Sequence, residues 1–492
     1  MASLYECSSN RATLRFLVSA ASQQAIKGRT LIGGCTVGEA YMFSFEDGQP
    51  VVAAEVDSIG QALTEMITTG KALETANVPY AEACAYFENA GLHRSLLLLQ
   101  SRVSESVAMH KLAGPDIMRL ALQPLATDAG VLRPSPPTLR LHDGKLLVAY
   151  GEDPNASTTQ PKAKRAKGDA AAAAAPPPCV LSSSLLSASG DHAAWGTCLG
   201  VDCVGKLNRL QSANRELQDF VLQAEFRQEQ ILGQLASAIA ARCAAAASGA
   251  SGEGSDRRVG VVCIAGPTSS GKTTFATKLT MYLRNLGLTG QALTVDHYYL
   301  PLDRQPKYQA RKLRSDVDYD AVESMDSELV GEHITALLRG EQVMKPVYNM
   351  KTGYRDGDGE PTQLPAPVDK SMLVIEGIHA LNPEFLKAVP PNRIFKIYIS
   401  PISALLVDEC NALKTTDNRL LRRMSRDYLF RGHSASRTLS MWANVRRGEH
   451  RWIFPHQDAV DFVVNSSHEY EMAILKPLVE PLLSSVTPDD KE

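Results

Sequence analysis

The sequence lacks any uninterrupted run of about 18 apolar residues, the shortest stretch expected of a membrane-spanning helix. Its first residues, MASLYECSSNRATLRF, also lack the apolar core of a secretory signal peptide. Net charge is nearly absent, because 51 Lys and Arg residues stand against 54 Asp and Glu residues and leave a formal charge of −3. This balance gives the chain no electrostatic reason to bind nucleic acid or an anionic membrane. We therefore expect a cytoplasmic protein with no membrane partner, and we disfavour nucleic acid as a ligand.

Cysteine shows no pattern that would indicate disulfides or a metal site. The nine cysteines are scattered, and the nearest couple, Cys198 and Cys203, has four residues between its members. An odd count without framework spacing favours reduced thiols in a cytosolic setting. Composition is otherwise typical of a globular protein, with 44% hydrophobic and 21% charged residues. The length of 492 residues predicts about two to four domains.

The first 199 residues divide into a folded part and a low-complexity part. Residues 11–150 predict an α+β domain, with helical spacing in RATLRFLVSAASQQAI and SIGQALTEMITTGKALETA and strands in EAYMFSF and KLLVAY. Residues 151–199, which include TTQPKAKRAKGDAAAAAAPPPC, predict a disordered insert because little apolar surface is available to offset the entropy of ordering. Its basic cluster is either a nuclear signal or a solvated patch; the cluster consists of Lys162, Lys164, Arg165 and Lys167.

The remaining chain predicts a helical connector followed by a parallel sheet. Residues 200–255 contain apolar residues at helical spacing between about 204 and 247, and then the hinge-like SGASGEGS. From 256 to 489, five short apolar stretches alternate with helical runs or loops; they are VGVVCIA, ALTVD, SMLVIEG, IFKIYIS and DFVVN. This alternation predicts an α/β fold in which helices flank a five-stranded parallel sheet.

A phosphate-binding loop lies between the first of these strands and a helical run. The stretch GPTSSGKTT matches the pattern G-x-x-x-x-G-K-[ST], and its residues are Gly266, Pro267, Thr268, Ser269, Ser270, Gly271, Lys272, Thr273 and Thr274. Glycines let backbone N–H groups curl around phosphate oxygens, and the helix N-terminus favours negative charge. Lys272 can reach the β and γ phosphates, and the Thr273 hydroxyl can bind Mg²⁺. The loop therefore predicts ATP and Mg²⁺ as cofactors.

Two carboxylates follow strands of the predicted sheet. Asp296 ends ALTVD, and Glu376 follows LVI in the next strand. Ligands of open α/β sheets bind at the carboxyl ends of the strands, so both side chains are expected near the phosphate loop. One can hold Mg²⁺ and the other can accept a proton from an attacking hydroxyl. The alternative is that each carboxylate merely caps the turn that follows.

An arginine-rich segment occupies residues 418–451, with nine arginines against two acidic residues. Four of them share one helix face at spacings of three and four residues; they are Arg419, Arg422, Arg423 and Arg426. Planar guanidinium groups suit phosphate oxygens and neutralise charge during phosphoryl transfer. We expect a mobile lid over the phosphates, and a solvated basic face is the alternative.

Residues 258 to about 487 resemble the uridine kinase branch of the phosphoribulokinase/uridine kinase family, a family of P-loop kinases. The resemblance lies in GPTSSGKTTF, VDHYYLPLDR, DYDAVESMD, KPVYNMKTGYR, LVIEGIHALNPEF and RRMSRDYLFRGHSASRTLSMWANVRRGEHRWIFP. It resembles a subgroup in which the kinase is fused to an N-terminal domain similar to threonyl-tRNA synthetase accessory domains. Residues 11–150 fit that domain more weakly.

The resemblance implies a role for several residues. It makes Asp296 the general base and a neighbour of Mg²⁺. Together with the roles argued above from the loop and the strand ends, the catalytic residues are Asp296, Lys272 and Arg426, and Glu376 supports the metal. It also implies that Asp320 contacts the ribose and that Tyr348 lies beside the nucleobase. Arginines near the substrate and phosphates would be Arg423, Arg426 and Arg431.

Two departures from the resembled pattern affect specificity. Gly353 stands where uridine kinases carry a histidine that helps to read the pyrimidine. The synthetase domains that the N-terminal part resembles use His and Cys residues as ligands. Here His93 is the first histidine of the chain, and no second His or Cys lies near Cys35 in the sequence. A zinc site needs three or four protein ligands. We therefore expect a binding or structural N-terminal domain without zinc.

These observations predict an ATP- and Mg²⁺-dependent kinase that phosphorylates the 5′-hydroxyl of a nucleoside. A P-loop kinase for another small alcohol is one alternative. A regulator that binds RNA or protein and uses ATP as a switch is the other, and the presence of Asp296 argues against it because a switch needs no base. A homo-oligomer is possible.

Overall fold

The computed structural model describes residues 2–487 except for 38–39, 102–103, 135, 150–182, 211–213, 248–257, 307, 309–317 and 368–369. The basic cluster at 162–167, most of the predicted insert and the hinge-like SGASGEGS lie outside the described residues. Among the described residues, no helix combines the length and the apolar character needed to cross a membrane.

The N-terminal part contains two antiparallel sheets with helices packed on them. In chain order its elements are α1 (Ala2–Ala25), β1 (Leu31–Val37), β2 (Ala40–Phe45), α2 (Ala53–Thr69), β3 (Leu73–Pro79), α3 (Tyr80–Asn89), α4 (His93–Gln100), β4 (Ser106–Leu112), β5 (Ile117–Leu120), β6 (Thr138–His142) and β7 (Lys145–Ala149). The strand orders are β1-β2-β7-β6 and β3-β4-β5. The predicted α+β character of this part is confirmed.

One predicted helix is too long. The stretch SIGQALTEMITTGKALETA is expected to be helical throughout, and this is wrong for its last residues. Gly70 adopts a φ of 65° and its N–H donates to the carbonyl oxygen of Ile67, which ends α2. Leu73 then begins β3 and pairs with Leu112 of β4.

Helix α5 (Ser183–Cys198) lies inside the stretch predicted to be disordered, so that prediction is wrong for residues 183–198. Leu185 and Leu186 are buried in a core that they share with the C-terminal sheet. His192 is 4% exposed, and its Nε2 lies 2.7 Å from a carboxylate oxygen of Glu469. Serine, alanine and glycine surround the two leucines and dilute the apolar signal in the sequence, although the paired leucines suffice to anchor the helix.

The predicted connector forms helices, as expected. They are α6 (Val204–Leu210) and α7 (Asn214–Ala247). Leu235 and Ile239 of α7 are fully buried and share a core with Val262 and Leu279 of the C-terminal domain. The connector is therefore also a structural layer of that domain.

A five-stranded parallel sheet forms the centre of the C-terminal part, which confirms the predicted fold class. Its strands are β8 (Val261–Ala265), β9 (Thr289–Thr294), β14 (Ser371–Glu376), β15 (Ile394–Ser400) and β16 (Phe462–Asn465), in the order β16-β15-β8-β14-β9. All five predicted strands are present. Because β8 lies between β14 and β15, the loop after β8 begins where ligands of doubly wound sheets bind.

Helices cover both faces of this sheet. The remaining elements are α8 (Lys272–Asn285), α9 (Ser327–Leu338), β10 (Val343–Lys345), β11 (Tyr348–Asn349), β12 (Tyr354–Arg355), β13 (Glu360–Thr362), α10 (Thr415–Arg426), α11 (Ala435–Gly448) and α12 (Glu471–Ser484). Ile239 of α7 and Leu279 of α8 share the core on one face. Ile334 of α9 shares the core on the other face with Met42 and Leu147 of the N-terminal part.

The loop between β15 and α10 joins the two parts of the chain. Glu409 is 1% exposed, and its carboxylate accepts hydrogen bonds from the N–H of Arg94 (2.6 Å) and from the N–H of Ser95 (3.2 Å) at the start of α4. The carbonyl oxygen of Glu409 accepts from the N–H of Gly33 in β1. Cys410 is buried in the core of the N-terminal part. The segment that leads into α10 is therefore held by the N-terminal part.

Candidate functional site

The loop between β8 and α8 has the tight curve of a phosphate-binding loop. A Cβ on Gly266 would lie 2.0 Å from the carbonyl oxygen of Ile399, so only glycine fits where the loop passes β15. Ser269 and Gly271 have φ values of 60° and 87°. Backbone in this left-handed region turns successive N–H groups toward one point and forms an anion-binding concavity. The predicted loop therefore has the predicted geometry.

Polar groups of the loop are buried with few partners. Ser270 is fully buried, and neither its Oγ nor that of Ser269 forms a hydrogen bond within the described chain. A buried unpaired hydroxyl costs about 1–3 kcal/mol. The Lys272 Nζ donates to the carbonyl oxygens of Gly266 (3.0 Å) and Pro267 (3.1 Å). These donors fit the oxygens of a bound polyphosphate.

Glu376 and Asp296 lie side by side next to this loop. Glu376 is 3% exposed and accepts hydrogen bonds from the hydroxyls of Thr273 (3.1 Å) and Thr294 (2.8 Å). Asp296 lies in the 3₁₀ turn after β9, and its Oδ1 is 3.5 Å from where a Cβ on Gly377 would be. As predicted, the two carboxylates lie close together at the carboxyl edge of the sheet.

Burial and charge shift the ionisation of this cluster. Burial raises the pKa of Glu376, and the charge of Asp296 raises it further, while Lys272 and the two threonine hydroxyls oppose the shift. Burial lowers the pKa of Lys272, and Asp296 and Glu376 oppose that change. Two carboxylates so close together favour a cation between them. A carboxylate pair with a threonine hydroxyl is a donor set that Mg²⁺ accepts.

Tyr348 belongs to a group of aromatic rings, and Asp320 follows another member of that group, Tyr319, in the chain. The Tyr348 ring is 5.3 Å from that of Tyr299, whose hydroxyl donates to the carbonyl oxygen of Tyr319. Burial raises the pKa of Asp320 to about 7, although Arg423 opposes this change. The structure thus combines a half-buried carboxyl with a wall of aromatic rings.

Asp320 is held against the helix that follows the arginine-rich segment. A Cβ on Gly448 of α11 would lie 2.3 Å from the Cβ of Asp320, so the two backbones approach more closely than any larger residue allows. Glycine inside a helix costs about 1 kcal/mol relative to alanine. This contact explains why the helix carries glycine here.

Gly353 stands in a turn whose backbone favours glycine. It follows β11 and precedes β12, with a φ of 83°, and a Cβ there would lie 3.3 Å from the Cβ of Leu302. The turn is closed by a hydrogen bond from the Gly353 N–H to the carbonyl oxygen of Asn349. A histidine at this position would need a strained backbone. The departure from the resembled pattern is therefore built into the hairpin.

The arginines of α10 divide into two groups, and the expectation of one mobile lid is wrong for the first. Arg419 is 1% exposed and forms an ion pair with the fully buried Glu449, and its Nη1 donates to the carbonyl oxygen of Thr268 (3.2 Å). Arg422 binds Glu471 and the carbonyl oxygen of Ser466. These arginines fix the helix against the phosphate loop, because a buried ion pair is costly to break.

The second group surrounds Asp427. The fully buried carboxylate of Asp427 lies 3.2 Å from Arg423 Nε, 2.9 Å from Arg426 Nη2 and 3.2 Å from Arg431 Nη1. Burial lowers the pKa of Arg423 and of Arg431, and Arg426 lowers both further. Three guanidinium groups on one carboxylate leave a local excess of positive charge. The three arginines that the resemblance assigned to substrate and phosphates are thus brought together.

Sequence reasoning missed the acidic partners of these arginines. Asp427 and Glu449 are the two acidic residues among the nine arginines, and both are fully buried. The sequence did contain a signal for them. Because a buried guanidinium needs a carboxylate partner, the only two acidic residues of the segment were candidates for that role. Thr294, which donates to Glu376, gave no signal in the sequence.

The two residues considered as metal ligands in the N-terminal part lie on different elements. His93 is exposed at the start of α4, and Cys35 lies in β1. Among the described residues, no group of three or more His, Cys, Asp or Glu side chains is placed to hold a metal ion. Whether this part binds zinc stays a prediction.

Comparison with known proteins identifies the C-terminal part. Residues 261–473 match the sequence model of the Phosphoribulokinase / Uridine kinase family. A uridine kinase from Halobacterium salinarum is 28% identical over 229 residues, which is 46% of this chain and 88% of that protein. A uridine kinase from Bacillus pumilus is 28% identical over 215 residues, which is 44% of this chain and 90% of that protein.

Solved structures were compared as well. A possible uridine kinase from Bacillus stearothermophilus is 17% identical, covering 42% of this chain and 89% of that chain with a TM-score of 0.23. A putative fructose transport system kinase from Silicibacter is 18% identical, covering 46% of this chain and 98% of that chain with a TM-score of 0.32. From the sequence match, the C-terminal part contains a domain of the phosphoribulokinase/uridine kinase family. The likeness of residues 11–150 to a synthetase accessory domain stays a prediction, since the family match begins at residue 261.

Proposed function

We propose that this protein transfers the γ-phosphoryl group of ATP to the 5′-hydroxyl of a nucleoside, with Mg²⁺ as cofactor. One observation carries the proposal: Asp296, Glu376 and the phosphate loop converge at the carboxyl edge of the parallel sheet. That arrangement combines a candidate base, candidate metal ligands and a polyphosphate cradle. The similar proteins named uridine kinase support a nucleoside as the acceptor.

ATP and Mg²⁺ have suitable partners in this chain. The loop N–H groups, the unpaired hydroxyl of Ser270 and Lys272 would hold the β and γ phosphates. The Thr273 hydroxyl, supported by Glu376, and the Asp296 carboxylate would hold Mg²⁺. When bound, the metal neutralises charge on the phosphate oxygens.

The acceptor side supplies a base and a positioning group. Asp296 would accept the proton of the 5′-hydroxyl, because it is the carboxylate at the mouth of the cleft while Glu376 is buried and hydrogen-bonded behind it. Asp320 would accept a hydrogen bond from a ribose hydroxyl, and Tyr348 would stack near the base. Positive charge from Arg423 and Arg426, with that of Arg431, would stabilise the charge that develops on the transferred group.

A second acceptor class remains open because of Gly353. Its left-handed backbone favours glycine over the histidine that reads pyrimidines in the resembled pattern. The same machinery could phosphorylate a purine nucleoside or another small alcohol. Phosphoryl transfer does not depend on this choice, since none of the phosphate-binding residues lies in that hairpin.

A panel of nucleosides and small alcohols, incubated with ATP and Mg²⁺, tests the proposal. Phosphorylated product would be resolved by mass spectrometry, which separates acceptor phosphorylation from ATP hydrolysis. We expect product with at least one nucleoside and none with the Lys272→Ala protein. Product from an alcohol alone would support the second acceptor class. ATP binding without any phosphorylated acceptor would contradict both and favour an ATP-dependent switch.

A cytoplasmic location and a homo-oligomer stay predictions.

A further inference from the structure

A cavity of about 70 Å³ lies behind the phosphate loop, where three parts of the chain meet. Thr36 of β1, Leu185 of α5 and Pro267 of the phosphate loop all line it. By the roughly 10–15 Å³ that each ordered water requires, the cavity has space for about five waters or one small ligand. It adjoins the phosphate loop, but neither Asp296 nor Asp320 lines it.

Two polar side chains of this cavity have no hydrogen-bond partner within the described chain. Ser400, at the end of β15, is 4% exposed, and Gln457 is 5% exposed. Only their backbone groups form hydrogen bonds: the Ser400 carbonyl oxygen accepts from Ser466, and the Gln457 N–H donates to the carbonyl oxygen of Phe454. Because both residues line the cavity, the hydroxyl and the amide can form hydrogen bonds to whatever occupies it.

The charges around the cavity favour an anion. Arg419 and Arg446 line it and share one carboxylate, that of Glu449, which accepts at 2.8 Å and 2.5 Å respectively. Two guanidinium groups on one carboxylate leave an excess of one positive charge. No Asp or Glu is among the described residues that line the cavity.

The start of α10 adds further hydrogen-bond donors, and it also carries partial positive charge. Thr415 and Thr416 form its first turn and line the cavity, and the preceding Lys414 provides no side-chain cap. Their N–H groups form no hydrogen bond within the described chain. Free N–H groups of a first helical turn carry the positive end of the helix dipole and bind anions. The hydroxyl, amide, guanidinium and helix-terminus donors therefore point to one ligand type.

We propose that this cavity binds a single small oxyanion of the size of inorganic phosphate. Ser400 and Gln457 would donate to its oxygens, and the excess charge of Arg419 and Arg446 would balance it. Because Arg419 also donates to the carbonyl oxygen of Thr268 in the phosphate loop, an anion here is coupled to the nucleotide site. The site is formed jointly by the N-terminal part, α5 and the C-terminal domain.

Binding of inorganic phosphate to the full-length Lys272→Ala protein tests the proposal by titration calorimetry. The substitution removes the lysine by which the phosphate loop would itself hold phosphate. Chloride at equal ionic strength is the salt control, and acetate and sulfate show whether a carboxylate or a tetrahedral anion fits better. We expect saturable binding of one phosphate per chain. No saturable binding of any of these oxyanions would overturn the proposal and leave a cavity that holds water only.

Substitutions of Gln457 locate the bound anion in this cavity. Gln457→Glu keeps the shape but adds a negative charge, so phosphate affinity should fall at least about tenfold, as expected for one lost charge-assisted contact. Gln457→Leu should remove the phosphate effect on melting temperature while raising the melting temperature of the phosphate-free protein, because it removes an unpaired buried amide. Gln61→Leu, at an exposed position of α2, is the matched control. Unchanged phosphate affinity in both Gln457 variants would assign the binding elsewhere and overturn the proposal.

Discussion

Glu409 accepts a hydrogen bond from the backbone N–H of Arg94 at 2.6 Å, and this contact joins the loop before the arginine helix to the first turn of α4. Both residues are buried, with Glu409 only 1% exposed. A carboxylate at a helix N-terminus pairs with free N–H groups and with the positive end of the helix dipole. The N-terminal part therefore fixes one end of a segment that carries residues of the candidate site.

Replacement of Glu409 measures the strength of this contact. Glu409→Ala should lower the free energy of unfolding by about 1–3 kcal/mol, because it leaves buried N–H groups unpaired. Glu409→Gln keeps an acceptor oxygen and should cost less than the alanine variant. Urea unfolding of both variants provides the comparison. Equal stability of Glu409→Ala and the unmodified protein would mean that the two parts are held together by other contacts.

Lys272→Ala should nearly abolish phosphoryl transfer and weaken ATP binding. It removes a charge from the β and γ phosphates, while the loop curve set by Gly266 is retained. Turnover with the best acceptor of the panel and ATP affinity are the measurements. Lys387→Ala, at an exposed position away from the loop, serves as the control. Near-normal turnover in a folded Lys272→Ala protein would rule out the kinase proposal.

Asp296→Asn separates catalysis from turn capping. Asparagine has almost the same shape but cannot accept the hydroxyl proton, so kcat should fall at least about 10²-fold. KM should change much less, since the lost interaction belongs to the transition state. If Asp296 only capped the turn, asparagine would replace it with little effect on rate. Asp358→Asn, on an exposed loop, is the control. A variant that keeps more than about a tenth of kcat would point to another base.

The pKa of Asp320 predicts a pH dependence of acceptor use. Burial raises this pKa from 3.8 to about 7, so the carboxyl is protonated at pH 6 and ionised at pH 8. Only the carboxylate accepts from a ribose hydroxyl with both oxygens, so kcat/KM for the acceptor should rise with pH across about 7. The same shift means that ionisation of Asp320 costs folding stability as pH rises from 3.8 through 7.

Asp320→Asn provides the check on this assignment. The asparagine variant should lose the rise in kcat/KM near pH 7 and should unfold with a weaker pH dependence over the same range. The kinetic profile is measured with the acceptor limiting and ATP saturating. A rise that persists unchanged in Asp320→Asn would belong to another group of the site.

Helix α5 gives a direct test of the folded part of the low-complexity region. Leu186→Asp places a charge in the core that this helix shares with the C-terminal sheet, and it should destabilise the protein by several kcal/mol. Ser187→Asp, one position along on the exposed side, should be nearly neutral. Thermal unfolding of the two variants is the measurement. Equal melting temperatures would mean that α5 does not pack as described.

The sequence predicted those features that depend on local pattern. The phosphate loop follows from fixed residue spacing, and the five strands follow from short apolar runs. The meeting of Asp296 and Glu376 could be predicted because strand ends of a parallel sheet share one edge. Each of these depends on neighbours in the sequence or on a general rule of the fold.

Features that depend on distant partners could not be predicted in this way. Arg419 looked like part of a solvated or mobile face, but it pairs with Glu449 thirty positions later in a fully buried contact. The close approach of Gly448 to Asp320 has no sequence signature except a glycine within a helix. Leu186 was hidden by the serines and alanines around it. These three features depend on tertiary packing, which the composition of a sequence segment does not reveal.

The burial of Cys410 in the core of the N-terminal part has a practical consequence for anyone who shortens this chain. Family comparison marks residues 261–473, but a fragment cut at those limits would lack Ile239 and the rest of α7 and would leave Cys410 without its covering residues. Such a fragment would expose apolar surface and a reactive thiol, and it would aggregate in an expression host. The segment that matches the family model is therefore shorter than the segment that packs as one unit.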